Sequence, residues 1–428
     1  MWAAIGCAAT GLTASRASAE ALLVIEVETG NVLFAENAAY PWYPASVTKL
    51  MTAYAVLRAV KDGRLTLETA VPVSQAAAAQ QPVKMGFPPG TLVTVDNALK
   101  MLMVRSSNDM AVLLAEAVSG SIENFADTMN RHARRLGMTQ STFVNPNGLP
   151  ADDQISSARD LAMVARALIR EFPEYDYYWH LPAIKMGKAV HRNYNTLIGR
   201  YPGADGMKTG FICASGFNLV ASATRDGKRL IAVVLGAPSS QARAVKAAQL
   251  LERGFDSDSG LTWLTPSLGT VETMQPISAA PPNLRDDMCG PHRKRKATED
   301  EDDVAAANVS ADSPYATFLS SLRPKTKGAA LLQDNAVMGE PAVVYTGAYR
   351  KPGTVVVNAD PKPKAKSKKT NQTAAAKPAP KDGAAAAAAT TTSDAPKPKP
   401  KSTGQKPAPK TSQAPPTQIT PTLTSQTR

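Results

Sequence analysis

Ser46 and Lys49 are the first residues in the chain that could carry out covalent chemistry together. They stand three apart at the start of an apolar pattern, Val47, Leu50, Met51, Tyr54 and Leu57, that predicts a buried helix ending near Gly63. Residues i and i+3 share a helix face, which puts Lys49 one turn beneath Ser46. A serine hydroxyl is a poor nucleophile until a neighbouring base takes its proton. A lysine can be that base when burial and a nearby like charge push its ammonium toward the neutral amine. The helix N-terminus adds backbone N–H dipoles beside the serine, which suits an oxyanion.

Two further patterns follow, Ser106-Ser107-Asn108 and Lys208-Thr209-Gly210, spaced 60 and then 102 residues along. Ser106 offers a hydroxyl that can pass a proton to a leaving amine. Asn108 has both a donor and an acceptor, enough to serve a peptide amide and Lys49 together. Lys208 supplies positive charge, which favours a neutral Lys49 and attracts a carboxylate. Thr209 can donate to that carboxylate, and Gly210 allows close approach of a substrate backbone to a strand edge. The backbone N–H groups of Ser46 and Phe211 suit an oxyanion hole. Taken singly, each pattern also fits a bland reading: a capping serine, a turn between helices, the first residues of a strand. Their order and settings together favour chemistry.

The elements that must position these residues are legible in outline. Residues 21–27 read as a strand, 29–31 as a turn and 32–35 as its return. Residues 71–95 read as loops and short strands. Asp96 is placed to cap a helix through Met103, which Arg105–Asn108 interrupts before a second helix to Val118. Further helices are expected over 122–136, stopped by Gly137, and from Ser157 to Phe172. Residues 174–200 are mixed and polar. Strands follow at 206–213, 216–224 and 229–235, the last two joined at Asp226-Gly227, then an amphipathic helix over 242–251. Strands at both ends with helices between predict an α+β fold: an antiparallel sheet flanked by helices, plus a helical subdomain.

Composition divides the 428 residues. Residues 1–19 resemble a shortened export signal, with Ala17-Ser18-Ala19 as a cleavage site before Glu20. Residues 20–258 have globular composition. Residues 259–358 read as a low-order linker or degenerate C-terminal region, and 359–428 as a disordered basic tail rich in Lys, Pro and Ala. That tail carries thirteen basic residues against three acids, a charge of +10 out of the chain's +12. The basic character therefore belongs to the tail, where it suits a polyanionic surface such as anionic lipid or cell-wall polymer. Cys7, Cys213 and Cys289 suggest neither a disulfide framework nor a zinc site, and the four histidines lack ligand spacing. No metal or cofactor is expected, and no apolar run reaches membrane-spanning length.

The ordered set Ser-x-x-Lys, Ser-x-Asn, Lys-Thr-Gly is a known signature of penicillin-binding proteins and class A β-lactamases. The chain resembles the D-alanyl-D-alanine carboxypeptidases, the low-molecular-mass penicillin-binding proteins of serine peptidase family S11. The likeness extends to Tyr43–Thr52, Val104–Ala111, Phe143–Leu149, Asp205–Phe211, and Ala242-Arg243-Ala244 followed by Leu250-Leu251 and Gly254-Phe255. The resemblance implies the penicilloyl-serine-transferase (β-lactamase/DD-peptidase) fold and periplasmic action. Its reaction removes the terminal D-alanine from peptidoglycan stem pentapeptides through an acyl-enzyme on Ser46, with β-lactams as covalent inhibitors. It also implies Lys49 as base, Ser106 as proton relay with Asn108 beside it, and Lys208, Thr209, Gly210, Phe211 and Arg243 as substrate-binding residues. Phe211 stands where many members have His or Tyr, and no amphipathic anchoring helix is visible near the C-terminus. Nucleic acid is not expected as a partner. Rival readings are a DD-endopeptidase that cuts cross-links and a β-lactamase, although no Glu-x-x-Leu-Asn pattern is present. A non-catalytic wall-binding protein is another, which would not need Ser46, Lys49 and Lys208 together.

Overall fold

The computed structural model describes residues 20–257, 267–291, 329–333 and 339–347. Residues 1–19, expected to be a leader, and the basic residues 359–428 lie outside the described residues.

In chain order the elements are β1 (Ala21–Glu26), β2 (Val32–Glu36), a 3₁₀ turn (Ala45–Thr48), α1 (Lys49–Lys61), β3 (Ala70–Pro72), α2 (Gln75–Ala78) and β4 (Leu92–Thr94). Then come α3 (Val95–Arg105), α4 (Asn108–Ser119), α5 (Ile122–Arg135), α6 (Ala158–Glu171), α7 (Tyr177–His180), β5 (Ala183–Met186) and β6 (Ala189–Arg192). The chain continues through β7 (Ala204–Ile212), β8 (Gly216–Arg225), β9 (Lys228–Ala237), α8 (Ser240–Asp256), α9 (Arg285–Cys289) and β10 (Ala342–Val343).

The main sheet runs β2-β1-β9-β8-β7, antiparallel throughout, so the first two strands join the last three. This is the α+β arrangement that the order of elements predicts. β1, β8 and β9 are buried along nearly their whole length. Their apolar runs lack polar alternation because both faces of the sheet are covered. α1 is buried from Lys49 to Leu57 at the centre of the helices α3 to α6, and α6 and α8 pack on the sheet.

Among the described residues five α-helices carry side-chain caps, α2 through Ser74, which accepts from the Ala77 N–H. Thr94, Ser121, Ser157 and Ser239 each accept from the N–H three residues on, which satisfies one otherwise orphan donor. The expected cap at Asp96 is corrected: Thr94 caps α3, and Asp96 sits in the first turn. There it pairs with Lys100 at 2.7 Å and accepts from the Tyr177 and Tyr178 hydroxyls. The break between α3 and α4 falls at Ser106, whose left-handed backbone (φ 59°, ψ 32°) ends α3.

Three features were not visible in the sequence. Residues 174–200 contain α7 and the short β5–β6 hairpin, whose four-residue strands are too brief to show a period. Residues 267–291, within the stretch read as linker, pack on the body of the protein. Thr270 bridges Asn31, the Val271 side chain is buried, and the Leu284 N–H donates to the Ala214 carbonyl at 2.9 Å. Cys213 and Cys289 form a disulfide, correcting the expectation of none. The two are 76 residues apart with Cα atoms 5.6 Å from each other, a closeness that only the fold creates. Among the described residues, no helix is long and apolar enough to cross a membrane.

Candidate active site

The site begins at a tightly held turn. Ser46 lies in the 3₁₀ turn before α1 rather than in the α-helix itself, and Ala45 ahead of it has a left-handed backbone (φ 50°). Such a conformation costs an alanine energy, so the surroundings must impose it. Asn218, buried in β8, does so from one side. Its side-chain amide donates to the Tyr43 and Pro44 carbonyls at 3.0 and 3.3 Å and accepts from the Gly236 N–H. Trp42 donates its indole N–H to the Ser215 carbonyl at 3.0 Å. On the other side Gly148, with φ 78°, lies against the turn, and an added Cβ would stand 1.8 Å from the Ala45 carbonyl oxygen.

Gly210 is closely packed against the Ser46 turn. A Cβ there would stand 2.8 Å from the backbone nitrogens of both Ser46 and Val47. Its missing side chain lets β7 press against the turn that carries Ser46. Here glycine permits a close approach within the protein, between β7 and the turn that carries Ser46.

Lys49 is fully buried. Its ammonium nitrogen donates to Ser46 Oγ at 3.0 Å, Asn108 Oδ1 at 2.8 Å and the Asn147 carbonyl at 2.6 Å. The helix spacing brings Lys49 to Ser46, the start of α4 brings Asn108, and the loop after α5 brings Asn147. Asn108 is itself held, donating its side-chain amide to the Gln81 carbonyl and its backbone N–H to the Val83 carbonyl.

Lys208 is 1% exposed and donates to Ser106 Oγ at 3.0 Å and to the Thr209 carbonyl at 2.9 Å. The left-handed backbone of Ser106 ends α3, and its hydroxyl meets Lys208 from β7. Thr209 Oγ1 is buried without a hydrogen-bond partner in the protein, which leaves it able to donate to a ligand. Arg243, buried in the first turns of α8, donates to the Asn218 carbonyl at 3.2 Å and to Ser240 Oγ. Its guanidinium lies over the Phe217 ring at 5.6 Å, and Phe217 packs on Phe211 with ring centroids 4.3 Å apart.

Ser46, Lys49 and Asn108 thus form one hydrogen-bonded group and Ser106 with Lys208 a second, brought beside each other because Ser106 and Asn108 are two residues apart and Gly210, two residues past Lys208, lies against the Ser46 turn. Thr209, Gly210 and Phe211 follow on the same strand, and Arg243 joins through Phe217 and Asn218. Sequence reasoning missed Asn147 and Asn218 as individual residues. Asn218 had a signal: it is the one amide in the otherwise apolar run Phe217–Ala221. Among the described residues no group of three His, Cys, Asp or Glu side chains could hold a metal ion.

Comparison with known proteins agrees with this geometry. The family model described as D-alanyl-D-alanine carboxypeptidase matches residues 8–239. D-alanyl-D-alanine carboxypeptidase DacA of Haemophilus influenzae is 36% identical over 250 residues, 57% of this chain and 64% of that protein. DacC of Escherichia coli is 39% identical over 245 residues, 55% of this chain and 61% of that protein. The chain therefore spans somewhat less than two thirds of these relatives. Among solved structures, penicillin binding protein 5 from H. influenzae superposes with a TM-score of 0.53 at 35% identity, covering 57% of this chain and 73% of that one. Penicillin binding protein 6B from E. coli gives 0.53 at 36%, covering 55% and 76%. By family match, fold and motif order together, the chain belongs to the S11 family of serine peptidases, the D-alanyl-D-alanine carboxypeptidases, and has the penicilloyl-serine-transferase fold.

Proposed function

We propose that the protein is a serine DD-carboxypeptidase that removes the terminal D-alanine from peptidoglycan stem pentapeptides. The observation that carries this reading is the Lys49 nitrogen, fully buried and 3.0 Å from Ser46 Oγ. Ser46 Oγ attacks the carbonyl carbon of the penultimate D-alanine as Lys49 Nζ takes its proton. The step requires Lys49 as the neutral amine. The oxyanion is held by the backbone N–H groups of Ser46 and Phe211. A proton then reaches the leaving amine through Ser106, whose hydroxyl is poised against Lys208. The C–N bond breaks and D-alanine departs, leaving an acyl-ester on Ser46. Water attacks that ester with Lys49 again as base, which restores the serine.

The terminal carboxylate of the substrate is bound by Lys208, by the otherwise unpartnered Thr209 hydroxyl and by Arg243. Asn108 orients the peptide amide while holding Lys49. A β-lactam presents a strained amide to the same serine and acylates it. Two features support action outside the cytosol, in the cell envelope: the signal-like residues 1–19 and the Cys213–Cys289 disulfide, since such bonds persist in oxidising compartments. The basic tail then serves as a tether to an anionic surface.

The test is mass spectrometry of purified muropeptides after incubation with the full-length protein. Loss of one alanine from pentapeptides, with cross-linked dimers left whole, is the expected result. Splitting of dimers without trimming of pentapeptides would assign the protein as an endopeptidase instead.

A further inference from the structure

The loop that follows α2, residues 79–91, carries no residue assigned to the reaction, yet it meets the surroundings of Lys49 from two sides. On one side it is fastened to the start of α4. The Gln81 carbonyl accepts from the Asn108 side-chain amide at 3.0 Å, and the Val83 carbonyl accepts from the Asn108 backbone N–H at 2.8 Å. The next residue, Asp109, is fully buried and takes the Met85 and Gly86 N–H groups on its two carboxylate oxygens, at 3.1 and 2.9 Å. On the other side Gln80 Oε1 accepts from Asn147 Nδ2 at 2.8 Å. Gln80 is tied back to α2, donating Nε2 to the Ala76 carbonyl at 3.1 Å. Ser74, the cap of α2, donates its hydroxyl to Glu116 of α4 at 2.8 Å.

Asn147 is buried, and its backbone carbonyl accepts from Lys49 Nζ at 2.6 Å. Its side chain is held at both ends: Nδ2 donates to Gln80, and Oδ1 accepts from the Leu149 N–H at 3.1 Å. The residue after it, Gly148, has a left-handed backbone (φ 78°). A peptide with glycine on one side turns over more readily than one between two residues that carry Cβ atoms, so the Asn147 carbonyl depends on its neighbours to stay aimed at Lys49. Asn145 Oδ1 holds that peptide from within the loop, accepting from the Gly148 N–H at 2.7 Å, and Gln80 holds it from outside. Two acceptors of Lys49, Asn108 Oδ1 and the Asn147 carbonyl, therefore rest on one loop, with Gln81 behind the first and Gln80 behind the second.

We propose that Gln80 is a positioning residue for the general base. Acting through Asn147, it fixes where Lys49 Nζ stands relative to Ser46 Oγ. The inference rests on the DD-peptidase reading, in which Lys49 takes the Ser46 proton at acylation and activates water at deacylation. When the Asn147 carbonyl swings away, Nζ loses its 2.6 Å partner and settles elsewhere. Proton transfer then starts from a poorer geometry, while Lys208, Thr209 and Arg243, which bind the carboxylate, stay in place. The cost falls on the rate of reaction and not on binding.

The test compares wild type with Gln80→Met, which keeps the length of the side chain without its carbonyl, in the full chain. Stopped-flow acylation by nitrocefin over a range of concentrations separates the acylation rate constant from the dissociation constant of the initial complex. The rate constant is expected to fall about tenfold, within the range that small misplacements at a reacting site produce, with the dissociation constant unchanged. The same comparison in an Asn147→Ala background isolates the route. There Gln80→Met should have no further effect, because the contact it breaks is already gone. An equal fall in both backgrounds overturns the inference, as does an unchanged rate constant or a loss that appears in the dissociation constant. A residue that only stabilises the fold would lower the melting temperature without this coupling. If Asn147→Ala does not accumulate folded, a crystal structure of Gln80→Met decides. An Asn147 carbonyl beyond about 3.5 Å from Lys49 Nζ supports the inference. A carbonyl kept at 2.6 Å overturns it. Failure of the underlying reading looks different: wild type itself would not be acylated at Ser46.

Discussion

Among the described residues, two of the groups of buried charges, around Arg159 and around Lys49 and Lys208, are built on different plans. Around Arg159 the charges are paired. The guanidinium donates to Asp160 Oδ1 at 2.6 Å and to the carbonyls of Gly137, Val271 and Glu272. The Asp160 carboxylate also accepts from the Gln140 N–H at 2.7 Å and from Ser141 Oγ at 2.8 Å. Burial pushes this carboxyl above the ordinary range, against the opposing pull of Ser141 and Arg159. Around Lys49 and Lys208 the acceptors described above are hydroxyls, a side-chain amide and backbone carbonyls. The first group fastens α6 to the loop after α5 and to residues 271–272, and its protons have nowhere useful to go. The second holds two amines against two serine hydroxyls, where proton transfer has a path. On the proposed function, burial of charge serves attachment in the first group and reactivity in the second.

This contrast predicts separable failures. Ser46→Ala has the largest effect: covalent labelling by a fluorescent penicillin disappears while the melting temperature stays within a few degrees of wild type. Undiminished labelling would remove Ser46 as the nucleophile. Lys49→Arg keeps the positive charge but supplies no base, so the acylation rate falls by ~10²–10⁴-fold in stopped-flow measurements. A near-normal rate would end the role assigned to Lys49.

Asp160→Ala leaves the Arg159 guanidinium buried without its partner. It should cost about 3–5 kcal/mol by urea denaturation, as broken buried pairs do. Penicillin labelling per folded molecule should be unchanged, and a loss of labelling without a loss of stability would blur the contrast between the two groups. Asn218→Ala touches both kinds of role. It removes the side-chain partner of the Tyr43 carbonyl and of the Gly236 N–H, at about 1–3 kcal/mol, and should slow acylation less than Lys49→Arg does. Stability unaltered by this change would mean that the turn is held by other contacts.

The sequence made the sheet strands and long helices legible because their signals are local. β8 and β9 are long apolar runs about a two-residue turn, and Ser157 announces α6 as a cap. The gathering of Ser46, Ser106 and Lys208 was foreseeable from motif order and family likeness, not from spacing alone. What escaped was set by distance along the chain. The Cys213–Cys289 bond, the packing of Val271 and Leu284, and the hold of Asn218 on the Ser46 turn each join segments that sequence pattern does not connect. Gly210 was visible as a special position, but its reason was not: the neighbour that excludes a Cβ is the backbone of Ser46 and Val47, more than 160 residues earlier. Asp96 lost the cap to Thr94 because two capping-type residues stood two apart and local chemistry favoured neither.

The central claim is that Ser46, made reactive by Lys49, forms the acyl-enzyme. Peptide mass spectrometry after brief incubation with benzylpenicillin tests it most directly. The account predicts one penicilloyl group per molecule, carried on the peptide containing Ser46 and absent in Ser46→Ala. An adduct mapped to Ser106 or Ser107, or an adduct that persists in that variant, would contradict it.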